Sequence, residues 1–172
     1  MLQKNRFEGD TELIAHPGER TFTVKRTFNA PARLVWEAWT RPEYMRRWYG
    51  NHCSKLEECE MDVRIGGKYR RVLRMDYGKA IGFNGEYLEL DPPRYIKFTE
   101  IFEPFPDFPS TVTVTLSERD GKTHVVVVQE HSTVQARDMH IGSGMEQGMR
   151  ETLDQLQEFL SALSTQTALP PN

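Results

Sequence analysis

Six strand-like segments follow one another between residues 55 and 131, and a single amphipathic helix pattern follows the last of them. The segment from Thr111 to Leu116 shows the strand signal clearly, since valine and leucine alternate with threonine at a period of two. Asp120-Gly121 predicts a tight hairpin into the last strand. Consecutive antiparallel strands bury one face and need a cover. Only the helix near the C-terminus is long enough to supply that cover, and its apolar residues recur three or four apart: Met145, Met149, Leu153, Leu156, Leu160 and Leu163.

A further strand and two short helices precede this run. Residues 20–28 alternate with Phe22, Val24 and Phe28 on one face, and Arg26 interrupts that face. Arg26 therefore either forms an ion pair at the sheet edge or points into a cavity. One helix is predicted after residues 29–31 and ends at residues 40–42, and a second runs from Pro42 to about residue 48.

The fold class that this order predicts is α+β with a helix-grip arrangement. A curved antiparallel sheet of about seven strands would surround a long C-terminal helix, with two short helices after the first strand. Such a sheet tends to leave a space between itself and the helix. A chain of 172 residues suits one domain, which we place at 20–163. Residues 1–19 are predicted to be an N-terminal extension and residues 164–172 a flexible tail.

Composition argues against several classes of function. A net charge of -3 argues against a general nucleic-acid binder. No apolar run approaches the roughly 20 residues needed to span a bilayer, and residues 1–6 lack the apolar stretch of a signal peptide. We therefore expect a cytoplasmic protein, in which Cys53 and Cys59 are reduced structural thiols. We expect no metal site and no cofactor, because the cysteines and His52 supply too few ligands at a recognisable spacing.

Four segments carry a resemblance to a known family. They are residues 28–43 with Trp48, residues 62–69, residues 85–93, and residues 144–149 followed by Leu153 and Leu156. In this order they resemble the activator of heat-shock-protein-90 ATPase-like family of the START/Bet v 1-like (SRPBCC) superfamily, over about residues 20–163. The resemblance implies the helix-grip fold with an internal pocket, and it says little about chemistry. The sequence departs from the family pattern at Asn51, Arg71 and Met149, where the family usually has proline, an apolar or aromatic residue, and an aromatic residue.

The resemblance and the strand alternation together nominate apolar walls for this pocket. The candidates are Trp39, Trp48, Tyr69, Phe83, Tyr87, Phe98, Val114, Val127, Met145 and Met149. Ordinary core packing is the alternative for each, because pockets and cores share the same apolar composition. Gly144 and Gly148 suggest a close backbone approach or room for a ligand, because a glycine costs a helix roughly 1 kcal/mol relative to alanine.

Four polar residues are candidates for the pocket: Arg71, Glu100, Gln129 and His131. Glu100 lies in phase with its apolar neighbours on a predicted strand, and a buried charge must be paired. Either Arg71 or Arg26 would then pair with Glu100 inside the pocket, or one arginine would meet an anionic ligand. The alternative is a structural salt bridge near a sheet edge. His131 could act as an acid or base, or could be a hydrogen-bonded structural histidine.

The leading functional hypothesis is a binding protein for a small apolar or amphipathic ligand in the cavity. An enzyme of cyclase or hydrolase type, using Glu100 or His131, is the second hypothesis, although the sequence has no G-x-S-x-G elbow and no phosphate-binding loop. A chaperone partner is the third, and only the resemblance implies it. The apolar Val126 and Val128 are compatible with a homodimer contact or with a helix cover.

Overall fold

The computed structural model describes residues 11–167, which form one antiparallel sheet and four helices. The strands are β1 (Glu12–Ile14), β2 (Thr21–Phe28), β3 (Ser54–Met61), β4 (Lys68–Met75), β5 (Ala80–Asp91), β6 (Tyr95–Phe102), β7 (Ser110–Arg119) and β8 (Lys122–His131). The helices are α1 (Ala32–Thr40), α2 (Pro42–Trp48), α3 (Val134–Gly142) and α4 (Met145–Thr167).

The sheet is open, with the strand order β1-β2-β8-β7-β6-β5-β4-β3. All neighbouring strands run antiparallel, and β2 closes onto β8 along the whole of its length. The prediction of an α+β helix-grip fold is confirmed, with eight strands where about seven were expected. The additional strand is β1, which lies within the segment predicted as an extension and is only three residues long.

Two arginines from elsewhere in the chain hold the residue that precedes β1. The Nη1 atom of Arg26 donates a hydrogen bond to Thr11 Oγ1 (3.2 Å), and Arg150 Nη1 donates to the Thr11 carbonyl oxygen (2.5 Å). Leu13 is buried and pairs with Val24 of β2. A strand this short carries too little alternation to be recognised from sequence, so its place in the sheet comes from these tertiary contacts.

Helices α1 and α2 occupy the positions predicted for them. Proline at the start of α2 has no backbone N–H to leave unpaired in the first turn. The indole of Trp48 donates a hydrogen bond to the Ala38 carbonyl oxygen (3.0 Å), and its ring lies 5.0 Å from the ring of Trp39. This hydrogen bond and this ring contact join α1 to α2. Tyr44 of α2 packs against Phe159 of α4, with their ring centroids 5.3 Å apart.

The C-terminal helical region is two helices, where one was predicted. Gly144 adopts φ +84°, a left-handed conformation that glycine reaches without strain, and this breaks the helix between α3 and α4. Thr133 caps α3 by accepting a hydrogen bond from the Ala136 N–H (3.0 Å). Polar and apolar residues are mixed around α3, and Arg137 is its buried residue. The helix therefore lacks the apolar stripe by which α4 was identified.

A single hydrophobic core fills the space between the sheet and the helices. Leu156 and Leu160 of α4 are fully buried, as are Phe28 of β2 and Val35 of α1. From the middle strands the core receives Tyr69, Tyr87, Ile96, Phe98, Val112, Val114, Leu116 and Val125. Arg26 does not point into this region as a partner of Glu100. Its guanidinium pairs instead with Asp154 of α4, at 2.5 Å.

Candidate functional site

A cavity of about 310 Å³ lies at one end of the sheet, between the ends of β5 to β8, the β6–β7 connection, and helix α3. It is lined by Phe83, Glu100, Phe102, Phe105, Phe108, Ser110, Gln129, His131, Ala136, Met139, His140, Ser143 and Met145. Helix α4 contributes its first residue only. The sequence suggested a space between the sheet and the C-terminal helix. In the structure, core side chains occupy the space over the middle of the sheet, and the cavity lies beside the first residue of α4.

The rim of the cavity is apolar and faces solvent. Phe105 and Phe108, from the β6–β7 connection, are 54% and 45% exposed, and Met139 of α3 is 59% exposed. Phe102 lies behind this rim, with ring centroids 5.9 Å from Phe105 and 5.3 Å from Phe83. Together these rings form a continuous apolar wall that leads inward from solvent. Large exposed apolar side chains grouped around a concave opening are typical of a binding site.

A cluster of polar side chains forms the floor of the cavity. Glu100, Ser110 and His131 are register partners on β6, β7 and β8, so the sheet places them in one row. Gln129 Nε2 donates hydrogen bonds to Glu100 Oε2 (3.2 Å) and to Ser110 Oγ (2.8 Å). Burial raises the pKa of Glu100, and the opposing effects of Arg71 and of the Gln129 hydrogen bond reduce that rise.

Two histidines continue the polar floor toward α3. His131 Nε2 lies 2.9 Å from His140 Nδ1, and His131 Nδ1 lies 3.2 Å from the carbonyl oxygen of Arg20. Burial lowers the pKa of His131, and burial together with the proximity of His131 lowers the pKa of His140 to about 4. Both imidazoles are therefore neutral at pH 7. A hydrogen-bonded structural role was one of the two alternatives for His131, and this geometry provides it.

Arg71 lies behind the floor and does not line the cavity. Its guanidinium carbon is 4.8 Å from the ring of Tyr49, 4.4 Å from that of Tyr69 and 5.8 Å from that of Phe98. Its Nε atom is buried and has no hydrogen-bond partner within residues 11–167. A direct ion pair between Arg71 and Glu100 was one of the alternatives, and it is not among the salt bridges of residues 11–167. Arg71 instead stabilises the Glu100 carboxylate at longer range while its own charge rests against aromatic faces.

Five of the fifteen predicted site residues line this cavity: Phe83, Glu100, Gln129, His131 and Met145. The others pack elsewhere. Trp48, Tyr69, Tyr87, Phe98 and Val114 are buried core residues, Trp39, Val127 and Met149 pack against that core, and Arg71 is buried within it. At Gly148 an added Cβ would meet only the side chain of Asn51, at 3.5 Å, so no close backbone approach requires glycine there.

The residues that sequence reasoning missed come mainly from two places. Phe105 and Phe108 lie in a loop with three prolines, where strand alternation gives no information about direction. Ala136, Met139, His140 and Ser143 belong to α3 or to the turn that follows it, and α3 was not distinguished from α4. Two aromatic residues in a proline-rich loop were the available signal, because exposed aromatic residues on a constrained loop are uncommon without a contact to make.

The chemistry available in the cavity is hydrogen bonding and proton transfer. Within residues 11–167, no three histidine, cysteine, aspartate or glutamate side chains are grouped closely enough to bind a metal ion. Glu100, whose pKa is raised, and His140, whose pKa is lowered, face the same space. Both can accept a hydrogen bond from a bound molecule, and Glu100 can also exchange a proton with it. No helix in the described part of the chain has the length and apolar content needed to cross a bilayer.

Comparison with solved structures shows that this fold recurs in several bacteria. A crystal structure of a Rhodobacter sphaeroides protein is 26% identical, covers 88% of this chain and 99% of its own, and superposes with a TM-score of 0.79. A Nitrosomonas europaea protein is 24% identical, covers 84% of this chain and 96% of its own, and has a TM-score of 0.76. A solution structure from Arthrobacter aurescens is 22% identical, covers 87% and 91%, and has a TM-score of 0.78. The last two likenesses concern the fold alone.

No curated protein matches the sequence. The family described as "Activator of Hsp90 ATPase homolog 1-like protein" matches residues 29–161, which include every strand from β3 to β8 and all of α1, α2 and α3. The match also includes the whole cavity lining. The family and the fold suggest a ligand-binding or chaperone-activator-like role. The chain therefore belongs to the Activator of Hsp90 ATPase homolog 1-like protein family.

Proposed function

We propose that this protein binds one small amphipathic molecule in the cavity at the end of the sheet. The observation that carries the proposal is the division of the cavity of about 310 Å³ into an apolar, solvent-facing rim and a polar floor. An apolar body would lie against Phe83, Phe102 and the rim, and a polar end would reach Glu100 and His140. This is the usual composition of a small-molecule site: mostly apolar walls with a few polar groups that fix orientation.

The size of the cavity sets the expected affinity. A ligand that loses about 200 Å² of apolar surface from water gains roughly 5 kcal/mol at about 25 cal/mol per Å². One or two hydrogen bonds at the floor would add about 1 kcal/mol each. This gross gain of about 6–7 kcal/mol limits the dissociation constant to about 10 μM at best, and the free-energy cost of association weakens the binding further.

A fluorescence titration with N-phenyl-1-naphthylamine tests the proposal, because this uncharged probe becomes bright in apolar surroundings. We expect saturable enhancement with the natural protein. The variant Ala136→Trp would fill the cavity from α3 and abolish the enhancement. Gln135→Trp is the matched control, because residue 135 is exposed on the same helix and does not line the cavity. Equal enhancement in the three proteins, or none in any of them, would refute cavity binding.

A second candidate function is contact with a chaperone, which the family description suggests. The exposed side chains of Phe105, Phe108 and Met139 supply an apolar patch that a protein partner could cover. Stimulation of the ATPase of purified heat-shock protein 90 tests it. We expect stimulation to be lost in Phe105→Ser, whereas Ala136→Trp would leave it intact if the patch rather than the cavity interior makes the contact. Failure of the natural protein to stimulate the ATPase would exclude this candidate.

A further inference from the structure

The polar floor of the cavity has used its hydrogen-bond donors. Both N–H groups of Gln129 Nε2 are engaged, one with Glu100 Oε2 and one with Ser110 Oγ. The hydroxyl of Ser110 donates to the carbonyl oxygen of Glu100 (3.4 Å), and that of Ser143 donates to the carbonyl oxygen of His140 (2.6 Å). Neither amide nor hydroxyl therefore has an N–H or O–H left for a ligand.

The tautomers of the two histidines follow from the hydrogen-bond partners of their ring nitrogens. A carbonyl oxygen only accepts, so His131 Nδ1 carries the proton that is donated to Arg20. Because His131 is neutral, its Nε2 is an acceptor, and His140 Nδ1 must carry the proton between the two rings. His140 Nε2 is then a lone pair with no partner within residues 11–167. The histidine pair thus also offers the cavity an acceptor and no donor.

Only acceptors remain among the polar side chains that line the cavity: Glu100 Oε1, Gln129 Oε1, His140 Nε2 and lone pairs of the Ser110 and Ser143 hydroxyls. An anion would find no donor among these side chains while Glu100 is ionised, and a single O–H if Glu100 is protonated. Arg71, whose charge acts on the Glu100 carboxyl, lies outside the lining with its guanidinium against aromatic rings. Arg71 also offsets the charge of Glu100, and this disfavours a second cation on the floor.

We infer that the cavity selects amphipathic molecules whose polar end is a neutral hydrogen-bond donor, a phenol or alcohol hydroxyl, and rejects carboxylates with the same apolar body. This inference rests on the proposed function and specifies the chemical class of its ligand. A hydroxyl placed at the floor would donate to Glu100 Oε1, because a carboxylate is a stronger acceptor than a neutral imidazole nitrogen or an amide oxygen. A methyl ether at the same position would leave that buried acceptor unpaired.

Three ligands with one apolar body test the inference: 4-butylphenol, 4-butylanisole and 4-butylbenzoate. Their dissociation constants are measured by displacement of N-phenyl-1-naphthylamine and by calorimetry at neutral pH. We expect the phenol to bind about tenfold more tightly than the anisole, the factor that one well-placed hydrogen bond supplies. The benzoate should not displace the probe at concentrations that saturate with the phenol.

Glu100→Gln provides the decisive variant, since it keeps the shape of the side chain, removes the charge and adds an N–H₂ donor. We expect the preference for phenol over anisole to fall to within about threefold, and the benzoate to bind measurably. Glu103→Gln is the matched control. That residue lies one position after β6, pairs with Arg70 and does not line the cavity, so wild-type preferences should persist.

The outcomes separate this inference from the proposed function. If neither the probe nor any of the three ligands binds, both are wrong. If the three ligands bind equally, or the benzoate binds most tightly, cavity binding stands and the donor preference is overturned. If Glu100→Gln keeps the full wild-type preference, the assignment of Glu100 as the group that accepts the ligand hydroxyl is overturned.

Discussion

Acidification is expected to destabilise the protein through the His131–His140 pair. The pKa of His140 falls from its ordinary value of 6.5 to about 4 in the folded protein, because of burial and of the neighbouring His131. A histidine with a lowered folded pKa contributes stability that is present in full above its unfolded pKa and is lost as the pH falls toward the folded value. The relevant window therefore runs from about pH 6.5 down to about pH 4.

The size of the effect follows from the two pKa values. With about 1.4 kcal/mol for each pH unit between them, the unfolded state gains about 2 kcal/mol over the folded state by pH 5 and about 3 kcal/mol by pH 4. Other groups also titrate in this range. The raised pKa of Glu100 acts in the opposite direction, because the folded state takes up that proton first. Because Glu100 titrates in both proteins, its contribution cancels when the natural protein is compared with a variant that retains Glu100.

His140→Asn is the appropriate variant, since an asparagine amide can donate to His131 Nε2 as His140 Nδ1 does, but it does not titrate. The free energy of unfolding is measured by urea denaturation at several pH values between 7 and 4, with tryptophan fluorescence as the signal. We expect the stability of the natural protein relative to the variant to fall by about 3 kcal/mol over that range. The matched control is His16→Asn, the same substitution at an exposed histidine. A difference that stays constant within about 0.5 kcal/mol would refute the reasoning.

Two further predictions concern the sheet that carries the floor. Gly85→Ala should lower the free energy of unfolding by at least about 2 kcal/mol, because its Cβ would overlap a backbone carbonyl oxygen of β6. The control Gly142→Ala in α3, where an added Cβ has no atom within 4 Å, should be neutral or stabilising by up to about 1 kcal/mol. Urea denaturation measures both, and a tolerated Gly85→Ala would contradict the strand geometry. Arg71→Met should raise the pKa of Glu100 further, since the nearby buried cation is lost, whereas Arg70→Met on the exposed face should not. Carbon-13 NMR titration of the Glu100 carboxyl measures this pKa. An unchanged pKa in Arg71→Met would show that the two charges do not interact.

Much of the fold could be predicted because its elements carry strong local periodicity. The alternation at residues 111–116 identified β7, and the spacing of Leu153, Leu156 and Leu160 identified α4. Alternation within the strand that contains Glu100 placed that residue on the inward face of β6, and in the structure it lines the cavity. Local periodicity does not reveal a helix without an apolar stripe, such as α3, or a strand as short as β1.

The position of the cavity could not be predicted for a different reason. Whether an inward-facing side chain meets a void or another side chain depends on packing in three dimensions. Tyr69, Tyr87 and Phe98 have ring centroids 5.5 to 6.1 Å apart and fill the middle of the sheet together. The sequence shows only that the three are large and in phase. The cavity lies where the ends of β5 to β8 meet α3 and the β6–β7 connection. Strand alternation does not determine the path of such a connection.

The strand order has a practical consequence for anyone who cuts the chain to the region that its family shares. A fragment confined to residues 29–161 would lack both β1 and β2, which precede it in sequence, and β2 is the strand that pairs with β8. Residues 123–130 of β8, which pair with β2, would then present unpaired N–H and C=O groups along a valine-rich edge. Such an edge recruits strands from other molecules, so the shortened protein would be expected to precipitate or to assemble, and homology limits are a poor guide to where this domain can be trimmed.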